Sequence, residues 1–402
     1  MDLEEKFKKI SSASGPGDEL TLETTEDEEA DVFSGVPVDF SHGDVDAFKP
    51  VEHSLDTFIE GFHIGAEQAY TEYRGSMDIR VNLANKLSDF TGSSIDAESH
   101  LIITPGTQGA LFLAAGSTIT KGTKVAIVTP DYFANRRIVE FLHGEVVPIA
   151  MDYLSTDSHT GLDLTQLEEA FKSGVEVFIF SNPNNPTGVV YTSDEIKKIS
   201  QLAEQYGVFV IVDELYSRQI FDSRPFTHLC AQNIINSENV ITIMGPSKTE
   251  SLSGFRLGVA FGSAKIIKRM EDLQAIVSIR ASGYNQAVLK TWFNEPKGWL
   301  ERRIEQHQKI RDDLVKQIRA ADGFSVRVTE GGSYLFPKEP KLSITMDEFI
   351  KRLRVQAGII VTPGRLFGDH STDSFRINFS QDHTLAVESM ERIIRMVEQY
   401  RM

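Results

Sequence analysis

Residues 177–213 read VFIFSNPNNPTGVVYTSDEIKKISQLAEQYGVFVIVD, two apolar segments on either side of a stretch with helical character. The apolar segments Val177–Ser181 and Val208–Asp213 are short, nearly continuous runs rich in Val, Ile and Phe. Such runs are typical of parallel strands that are covered on both faces. Between them, Ser193–Tyr206 is predicted to be a helix with Ser193 as its N-cap. Strand, helix and strand in this order predict an α/β fold.

The same pattern continues on both sides of this segment. Further strands are predicted at Val125–Thr129, Val240–Met244 and Leu257–Phe261. The chain then reads mostly helical from Ile266 to Ile318. No segment of 20 to 50 residues repeats, which argues against solenoids and propellers.

Beyond the helical region the pattern changes to a mixture of strands and helices. Strands are predicted at Phe324–Val328, 359–361 and Phe375–Phe379, and helices at 346–356 and 384–399. This mixture predicts a smaller α+β domain. We therefore divide the chain into an N-terminal arm that contributes to the small domain (1–48), a large domain (49–290) and a small C-terminal domain (291–402).

Length and charge narrow the class of protein. The 402 residues are enough for two or three packed units with a sizeable core. Because 41 basic residues face 58 acidic ones, the net charge of −17 repels phosphate backbones and anionic lipids, so we expect neither nucleic acid nor a membrane as a partner. A single cysteine, Cys230, cannot form an internal disulfide, and the chain does not open with a basic segment followed by an apolar run. We expect a cytoplasmic protein.

Acidic residues concentrate near the N-terminus. Residues 18–31 (DELTLETTEDEEAD) carry eight acidic side chains in fourteen positions and have little to bury. This composition is typical of a solvated arm. The remainder of the chain is therefore only moderately acidic.

Polar residues follow three of the predicted strands. Asn185 comes shortly after the first, Asp213 ends the next, and Lys248 follows the third. Ligands bind outside the carboxyl ends of parallel strands, so these side chains are expected to meet in one crevice. Taken singly, each also fits an ordinary role: a turn for Asn185, a helix cap for Asp213 and a solvated surface side chain for Lys248.

Eight short motifs in order carry a family resemblance that spans residue 40 to the C-terminus. They are FSHGDVDAFKP (40–50), YRGSMDIR (73–80), TPGTQGAL (104–111), TPDYF (129–133), SNPNNPTG (181–188), VDELY (212–216), SKTESLSGFRLG (247–258) and SFRINFS (374–380). With them the sequence resembles the fold type I pyridoxal-phosphate (PLP) enzymes, in particular the class I/II aminotransferases and relatives such as aminocyclopropane-carboxylate synthases. The resemblance implies a large α/β domain with a mostly parallel seven-stranded sheet, PLP as cofactor and a homodimer.

The resemblance also implies the catalytic residues. Lys248 would form the Schiff base with the PLP aldehyde and move protons at the substrate Cα. Asp213 would pair with the pyridine nitrogen and favour its protonated form. Tyr216 and Asn185 would form hydrogen bonds with the phenolic oxygen of the cofactor.

The phosphate and the ring of the cofactor would have their own partners. The resemblance places the phosphate at the helix that starts at Gly106, Thr107 and Gln108, with Arg256 supplying positive charge. The family often has a hydroxyl three residues before the lysine, where this chain has Gly245, and whether Ser247 replaces it stays open. Tyr132 would stack on the pyridine ring. Tyr73 would reach the phosphate of the neighbouring subunit.

The substrate side follows from the same motifs. Arg376 would bind the α-carboxylate through its two-pronged guanidinium group, beside the backbone of Gly43 and Asn185. A strand arginine that faces solvent is the alternative for Arg376. We assign no metal site. Four arginines could each neutralise a second carboxylate of the substrate, and spacing does not choose among them: Arg74, Arg218, Arg280 and Arg365.

Three functions are compatible with these residues. The first is transfer of an amino group between an L-amino acid and a 2-oxo acid. The second is a PLP-dependent lyase, by β- or γ-elimination or by a cyclisation like that of aminocyclopropane-carboxylate synthase, because every residue assigned above serves both reactions. The third, a non-catalytic binding module that kept the fold, is disfavoured by the full set of site residues.

Overall fold

The fold is seen in a computed structural model, which describes residues 33, 35–43, 47–155 and 158–402. The acidic segment predicted to be a solvated arm, residues 18–31, lies outside the described residues. Within the described ranges, no helix is both long enough and apolar enough to span a bilayer.

Helices alternate with strands through most of the chain. The α-helices are α1 (Ser54–Ile64), α2 (Ala66–Ala69), α3 (Met77–Thr91), α4 (Gly106–Thr118), α5 (Phe133–Phe141), α6 (Leu164–Lys172), α7 (Ser193–Tyr206), α8 (Ala264–Val277), α9 (Gly283–Gln286), α10 (Trp299–Ala320), α11 (Met346–Ala357) and α12 (His383–Tyr400). Short 3-10 helices lie at Leu229–Ala231, Ser237–Asn239, Ser253–Phe255, Ala287–Lys290 and Gly364–Leu366.

The strands form one large sheet and two small ones. They are β1 (Val38–Asp39), β2 (Leu101–Pro105), β3 (Lys124–Thr129), β4 (Glu145–Ala150), β5 (Val177–Ser181), β6 (Phe209–Asp213), β7 (Val240–Met244), β8 (Leu257–Gly262), β9 (Tyr334–Leu335), β10 (Ile359–Ile360), β11 (Thr362–Pro363) and β12 (Phe375–Asn378). The seven-stranded sheet has the order β2-β8-β7-β6-β5-β3-β4. This confirms the predicted α/β class with a seven-stranded, mostly parallel sheet.

Strand β8 is the exception in the large sheet. Strands β4, β3, β5, β6 and β7 pair in parallel, whereas β8 is antiparallel to both β7 and β2. The expectation that Leu257–Phe261 is parallel to the others is therefore wrong. A buried antiparallel strand is as apolar as a buried parallel one, so composition does not reveal its direction.

Both faces of the large sheet are covered. On β5, Val177 and Ile179 belong to the core under α4, α5 and α8, whereas Phe178 and Phe180 belong to the core under α6 and α7. Burial of each such side chain contributes about 1.5–3 kcal/mol to folding. Because two apolar layers enclose the sheet, the polar side chains of β5 and β6, Ser181 and Asp213, lie at the ends of these strands.

A second core surrounds the small sheets. Strand β1 pairs with β10, and β12 lies between β11 and β9 in an antiparallel sheet. Phe349, Phe375 and Ile393 pack there with α10, α11 and α12, and Phe40 and Phe48 join them. The domain boundaries placed at residues 48/49 and 290/291 stay a prediction.

One predicted strand of this region is wrong. Phe324–Val328 is not a strand; Ser325 makes only an isolated bridge with Lys338. Its apolar pattern arises because Phe324 and Val328 pack against the second core. The backbone that pairs with β12 is instead Tyr334–Leu335, a two-residue strand that is too short to show an alternating pattern.

The start of α7 also differs from the prediction. Its N-cap is Thr192, not Ser193. The Thr192 hydroxyl accepts a hydrogen bond from the Glu195 N–H at 3.2 Å, and the Glu195 carboxylate accepts one from the Thr192 N–H at 2.9 Å. This is a capping box, for which the Thr-x-x-Glu spacing was present in the sequence.

We expect Thr192→Ala to lower the free energy of unfolding by about 1 kcal/mol, because it leaves the first N–H groups of α7 without their cap. Ser193→Ala, at the next and exposed position, is the matched control and is expected to change it by no more than a few tenths of a kcal/mol. Urea unfolding of both variants measures the difference. The same loss in both variants, or a larger one in Ser193→Ala, would contradict this assignment of the cap.

Candidate active site

The carboxyl ends of the parallel strands open into one cavity of 270 Å³. Ten of the residues predicted from sequence line it: Thr107, Gln108, Tyr132, Asn185, Asp213, Tyr216, Ser247, Lys248, Arg256 and Arg376. The side chains come from two sheets. Arg376 lies on β12 of the small antiparallel sheet, and most of the others follow strands of the large sheet. The predicted convergence is thus present.

A helix N-terminus and a guanidinium group meet at one corner of the cavity. Helix α4 begins at Gly106, whose φ of +76° favours glycine, and a Cβ there would come within 2.6 Å of the Arg256 guanidinium. A Cβ at Gly258 would come within 2.4 Å of the Thr107 nitrogen. The first N–H groups of a 13-residue helix and a guanidinium group therefore meet in a space that glycines keep open.

Gly245 has a packing reason in this corner. A Cβ at this position would come within 2.8 Å of the Thr107 Cγ2 atom and 3.3 Å of the Gly258 Cα atom. A side chain at position 245 therefore needs the Thr107 side chain to move and the backbone of β8 to shift slightly. Ser247 lies on the cavity wall, and its hydroxyl donates to the Leu257 carbonyl at 3.4 Å.

Asp213 ends β6 inside the cavity. Its Oδ1 atom accepts a hydrogen bond from the Leu215 N–H at 3.0 Å. Burial raises the pKa of Asp213 to about 6, and the adjacent Glu214 carboxylate adds to the increase. A cationic N–H group brought next to Asp213 would reverse this shift and hold the carboxylate ionised.

Arg376 is a buried cation with no carboxylate partner among the described residues. It is only 3% exposed, which excludes the solvent-facing alternative. Its guanidinium donates to the Asn185 Oδ1 atom at 2.9 Å and to the Ser41 carbonyl at 2.8 Å, while its Nε–H is unpartnered. Because a buried charge is costly without a counter-ion, the arrangement suits a carboxylate ligand.

Tyr132 and Asn185 are held in place by neighbours that the sequence reasoning did not single out. The Asp131 carboxylate accepts hydrogen bonds from the backbone N–H and hydroxyl of Ser181, and Ser181 Oγ in turn accepts from the Asn185 N–H at 3.1 Å. Burial raises the pKa of Asp131 to about 8. Asp131 could have been predicted as a site residue, because it comes two residues after the end of β3, as other site residues follow the ends of their strands. The Tyr132 hydroxyl donates to the Gln108 Oε1 atom at 3.0 Å.

Tyr334 is a further cavity residue that the sequence reasoning missed. The Tyr216 hydroxyl donates to the Tyr334 oxygen at 2.6 Å, and the Arg376 guanidinium lies 4.4 Å from the Tyr334 ring centroid. None of the eight motifs contains this tyrosine. The strand of this region was predicted at Phe324–Val328, whereas Tyr334 lies on β9.

Three predicted residues are not part of the cavity lining. Gly106 starts helix α4 just behind Thr107, which does line it. Gly43 lies near Ser380 and Asn378, and the neighbouring Ser41 and His42 reach the cavity wall instead. Tyr73 lies on the surface with 45% of its side chain exposed, and its ring centroid is 5.1 Å from the Arg280 guanidinium. Within one chain Tyr73 is therefore apart from the site.

Known proteins resemble this chain over nearly its whole length. Residues 37–393 match the family described as aminotransferase class I and II. A crystal structure of an aspartate aminotransferase from Rhodobacter sphaeroides 2.4.1 is 56% identical, covers 100% of both chains and superposes with a TM-score of 0.95. The aspartate aminotransferase of Sulfolobus acidocaldarius is 26% identical over 83% of this chain and 84% of its own.

The chain belongs to the class I and II aminotransferase family. It is accordingly an aminotransferase, an enzyme that moves an amino group between an amino acid and a 2-oxo acid. The family uses PLP. These relatives give no support to the lyase alternative.

We expect Asp213→Asn to stabilise the cofactor-free protein at pH 7.5 by on the order of 2 kcal/mol, because the pKa of about 6 in the fold exceeds the ordinary 3.8. Wild-type stability contributed by this carboxyl is lost as pH rises from about 4 to about 6, so the gain should shrink at pH 4.5. Asp89→Asn, at an exposed aspartate, is the control and should show no such trend. Denaturant unfolding at both pH values measures it; a gain that is equal at both, or absent, would contradict the assigned burial.

Proposed function

We propose that the cavity holds PLP, with Lys248 as its covalent partner. The Arg256 guanidinium and the N–H groups of α4 would bind the phosphate, Asp213 the pyridine nitrogen, and Tyr132 one face of the ring. Asn185 and Tyr216 would donate to the phenolic oxygen. When bound, the cofactor supplies an electron sink for the pair left by the broken Cα–H bond.

The residues around this cofactor would each perform one task. Arg376 binds the substrate α-carboxylate and thereby turns the Cα–H bond toward Lys248. The Lys248 amine, set free when the substrate amine replaces it as the covalent partner of the cofactor, would accept the proton from Cα and deliver it to the cofactor carbon that the substrate nitrogen joins. The observation that carries this proposal is that Lys248, Asp213 and Arg376 meet around a helix N-terminus and have no ion-pair partner among the residues that the structure describes.

A half-reaction tests the proposal against elimination. Holoenzyme given L-aspartate without an acceptor should release one oxo acid per active site and then stop, because the amino group stays on the enzyme. Adding a 2-oxo acid should restart it. Continuous release of ammonia without an acceptor would contradict transamination. Lys248→Ala is the negative control.

We further propose a homodimer whose interface includes Tyr73. Apolar side chains are unusually exposed on the surface that carries it: Leu55 (65%), Phe62 (56%), Tyr70 (72%) and Ile276 (81%). The Phe62 ring of α1 lies 5.2 Å from that of Tyr284 on α9. The Gln286 side-chain amide on α9 donates to the Thr71 hydroxyl at 3.1 Å, and the Tyr73 carbonyl accepts a hydrogen bond from the Gln274 side chain on α8, so these elements adjoin. An exposed patch of this kind indicates a protein interface.

We also propose that the protein is cytoplasmic, because its one cysteine, Cys230, is free.

The dimer bears on the choice of substrate. Of the four arginines that could bind a second carboxylate, three already lie beside acidic side chains: Arg74 beside Glu271, Arg218 beside Glu250 and Glu295, and Arg365 beside Asp347. Arg280 has no acidic partner among the described residues, and it stacks 3.7 Å from the Tyr70 ring on the proposed interface. We propose that Arg280 reaches the neighbouring site and that the donor is a dicarboxylic amino acid such as aspartate, in line with the names of the relatives.

We expect Arg280→Ala to lower kcat/KM for L-aspartate by about 10- to 100-fold, because a charge-assisted hydrogen bond contributes about 1.5–3 kcal/mol. The value for L-alanine, which has no second carboxylate, should change little. Arg365→Ala is the matched control and should alter neither. Equal losses for both amino acids in Arg280→Ala would contradict the assignment.

A further inference from the structure

Tyr334 lies where the small antiparallel sheet contacts the segment that follows β6 of the large sheet. It lies on β9, opposite Asn378 of β12, the strand that carries Arg376. The tyrosine is 4% exposed and lines the cavity. The segment before Tyr334 is held by Gln219, which follows β6 of the large sheet. The Gln219 side-chain amide donates to the Gly332 carbonyl at 2.9 Å and to the Ser333 hydroxyl at 3.0 Å.

The Tyr334 hydroxyl meets that of Tyr216. The two oxygens are 2.6 Å apart, and the two rings lie edge to face with centroids 5.4 Å apart. A tyrosine hydroxyl both donates and accepts. In the protein alone Tyr216 donates to Tyr334. When the Tyr216 hydroxyl donates to a cofactor oxygen instead, this hydrogen bond reverses, and the Tyr216 oxygen accepts from the Tyr334 hydroxyl.

The charges around the pair favour this order. Burial alone would raise the pKa of Tyr334, but the positive charges of Arg376 and Lys248, together with the hydrogen bond that it accepts from Tyr216, bring it below its usual value. Burial and the neighbouring Tyr334 raise the pKa of Tyr216. The more acidic hydroxyl is the better donor, so Tyr334 is suited to donate to Tyr216 rather than compete with it.

The Tyr334 ring has a second contact. The guanidinium of Arg376 lies 4.4 Å from its centroid, and that of Phe367 is 4.9 Å from the same guanidinium. Two aromatic rings and the hydrogen bonds to Asn185 and Ser41 therefore fix the plane of Arg376. The ring acts on the residue proposed to bind substrate, while the hydroxyl acts on a residue proposed to bind the cofactor.

We propose that Tyr334 is a positioning residue with two separable parts, a hydroxyl that orients Tyr216 toward the cofactor's phenolic oxygen and a ring that orients Arg376 toward the substrate carboxylate. This inference rests on the proposed function, because it assumes a cofactor linked to Lys248.

Two variants separate the two parts in the holoenzyme. Tyr334→Phe removes the hydroxyl and keeps the ring, so the pKa of the lysine-bound cofactor, read from its visible absorbance, should rise by about half a unit to one unit, with KM for the amino acid nearly unchanged. Tyr334→Leu removes both, so KM should also rise by about threefold to tenfold, since the cation–π contact with the Arg376 guanidinium is lost as well. Tyr153→Phe, which loses a buried hydroxyl bond to the Phe336 carbonyl outside the cavity, is the matched control and should change neither value.

A double variant tests whether Tyr334 acts through Tyr216. In the Tyr216→Phe background, Tyr334→Phe should leave the absorbance pKa where Tyr216→Phe alone puts it. An unmoved pKa in Tyr334→Phe, a full additive shift in the double variant, or equal KM values in the Phe and Leu variants would each overturn the inference. Absence of any visible cofactor band in the wild type would instead overturn the proposed function, so the two failures are distinguishable.

Discussion

Enclosure of the large sheet between two apolar layers is the constraint from which the site follows. Val177 and Ile179 enter one core and Phe178 and Phe180 the other, so β5 has no position for a polar side chain until it ends. The same holds for β6 up to Asp213. Parallel strands end at one edge, so the polar groups that the cores exclude are brought together there.

That edge is electrostatically incomplete in the protein alone. Asp213 has a raised pKa because burial is not offset by a cation, and Arg376 is buried with no carboxylate beside it in the part of the chain that the structure describes. A ligand that carries an N–H cation at one point, and a substrate that carries a carboxylate at another, would satisfy both. Burial of Asp213 and Arg376 therefore lowers the stability of the ligand-free protein, and binding of these two ligands would recover that stability.

The sequence predicted the site better than the small body that completes it. Asn185, Asp213 and Lys248 could be placed because nearly continuous apolar runs of five or six residues predict buried strands and where they end. Tyr334 could not, because β9 has two residues and its place is set by pairing with β12 rather than by local pattern. Direction is equally hidden: β8 is as apolar as its neighbours but antiparallel to them. The sequence contains the Thr192-to-Glu195 spacing of a capping box, but the prediction chose Ser193 as the N-cap. Serine and threonine are both good capping residues, so residue type did not distinguish the two positions.

The central claim is that the Lys248 amine holds the cofactor aldehyde. Reduction of the holoenzyme with borohydride, followed by proteolysis and mass spectrometry of the peptides, tests it most directly. The account predicts one reduced pyridoxyl group per chain, on the peptide that contains Lys248. A pyridoxyl group on any other lysine, or none at all in enzyme that is active with PLP, would contradict it.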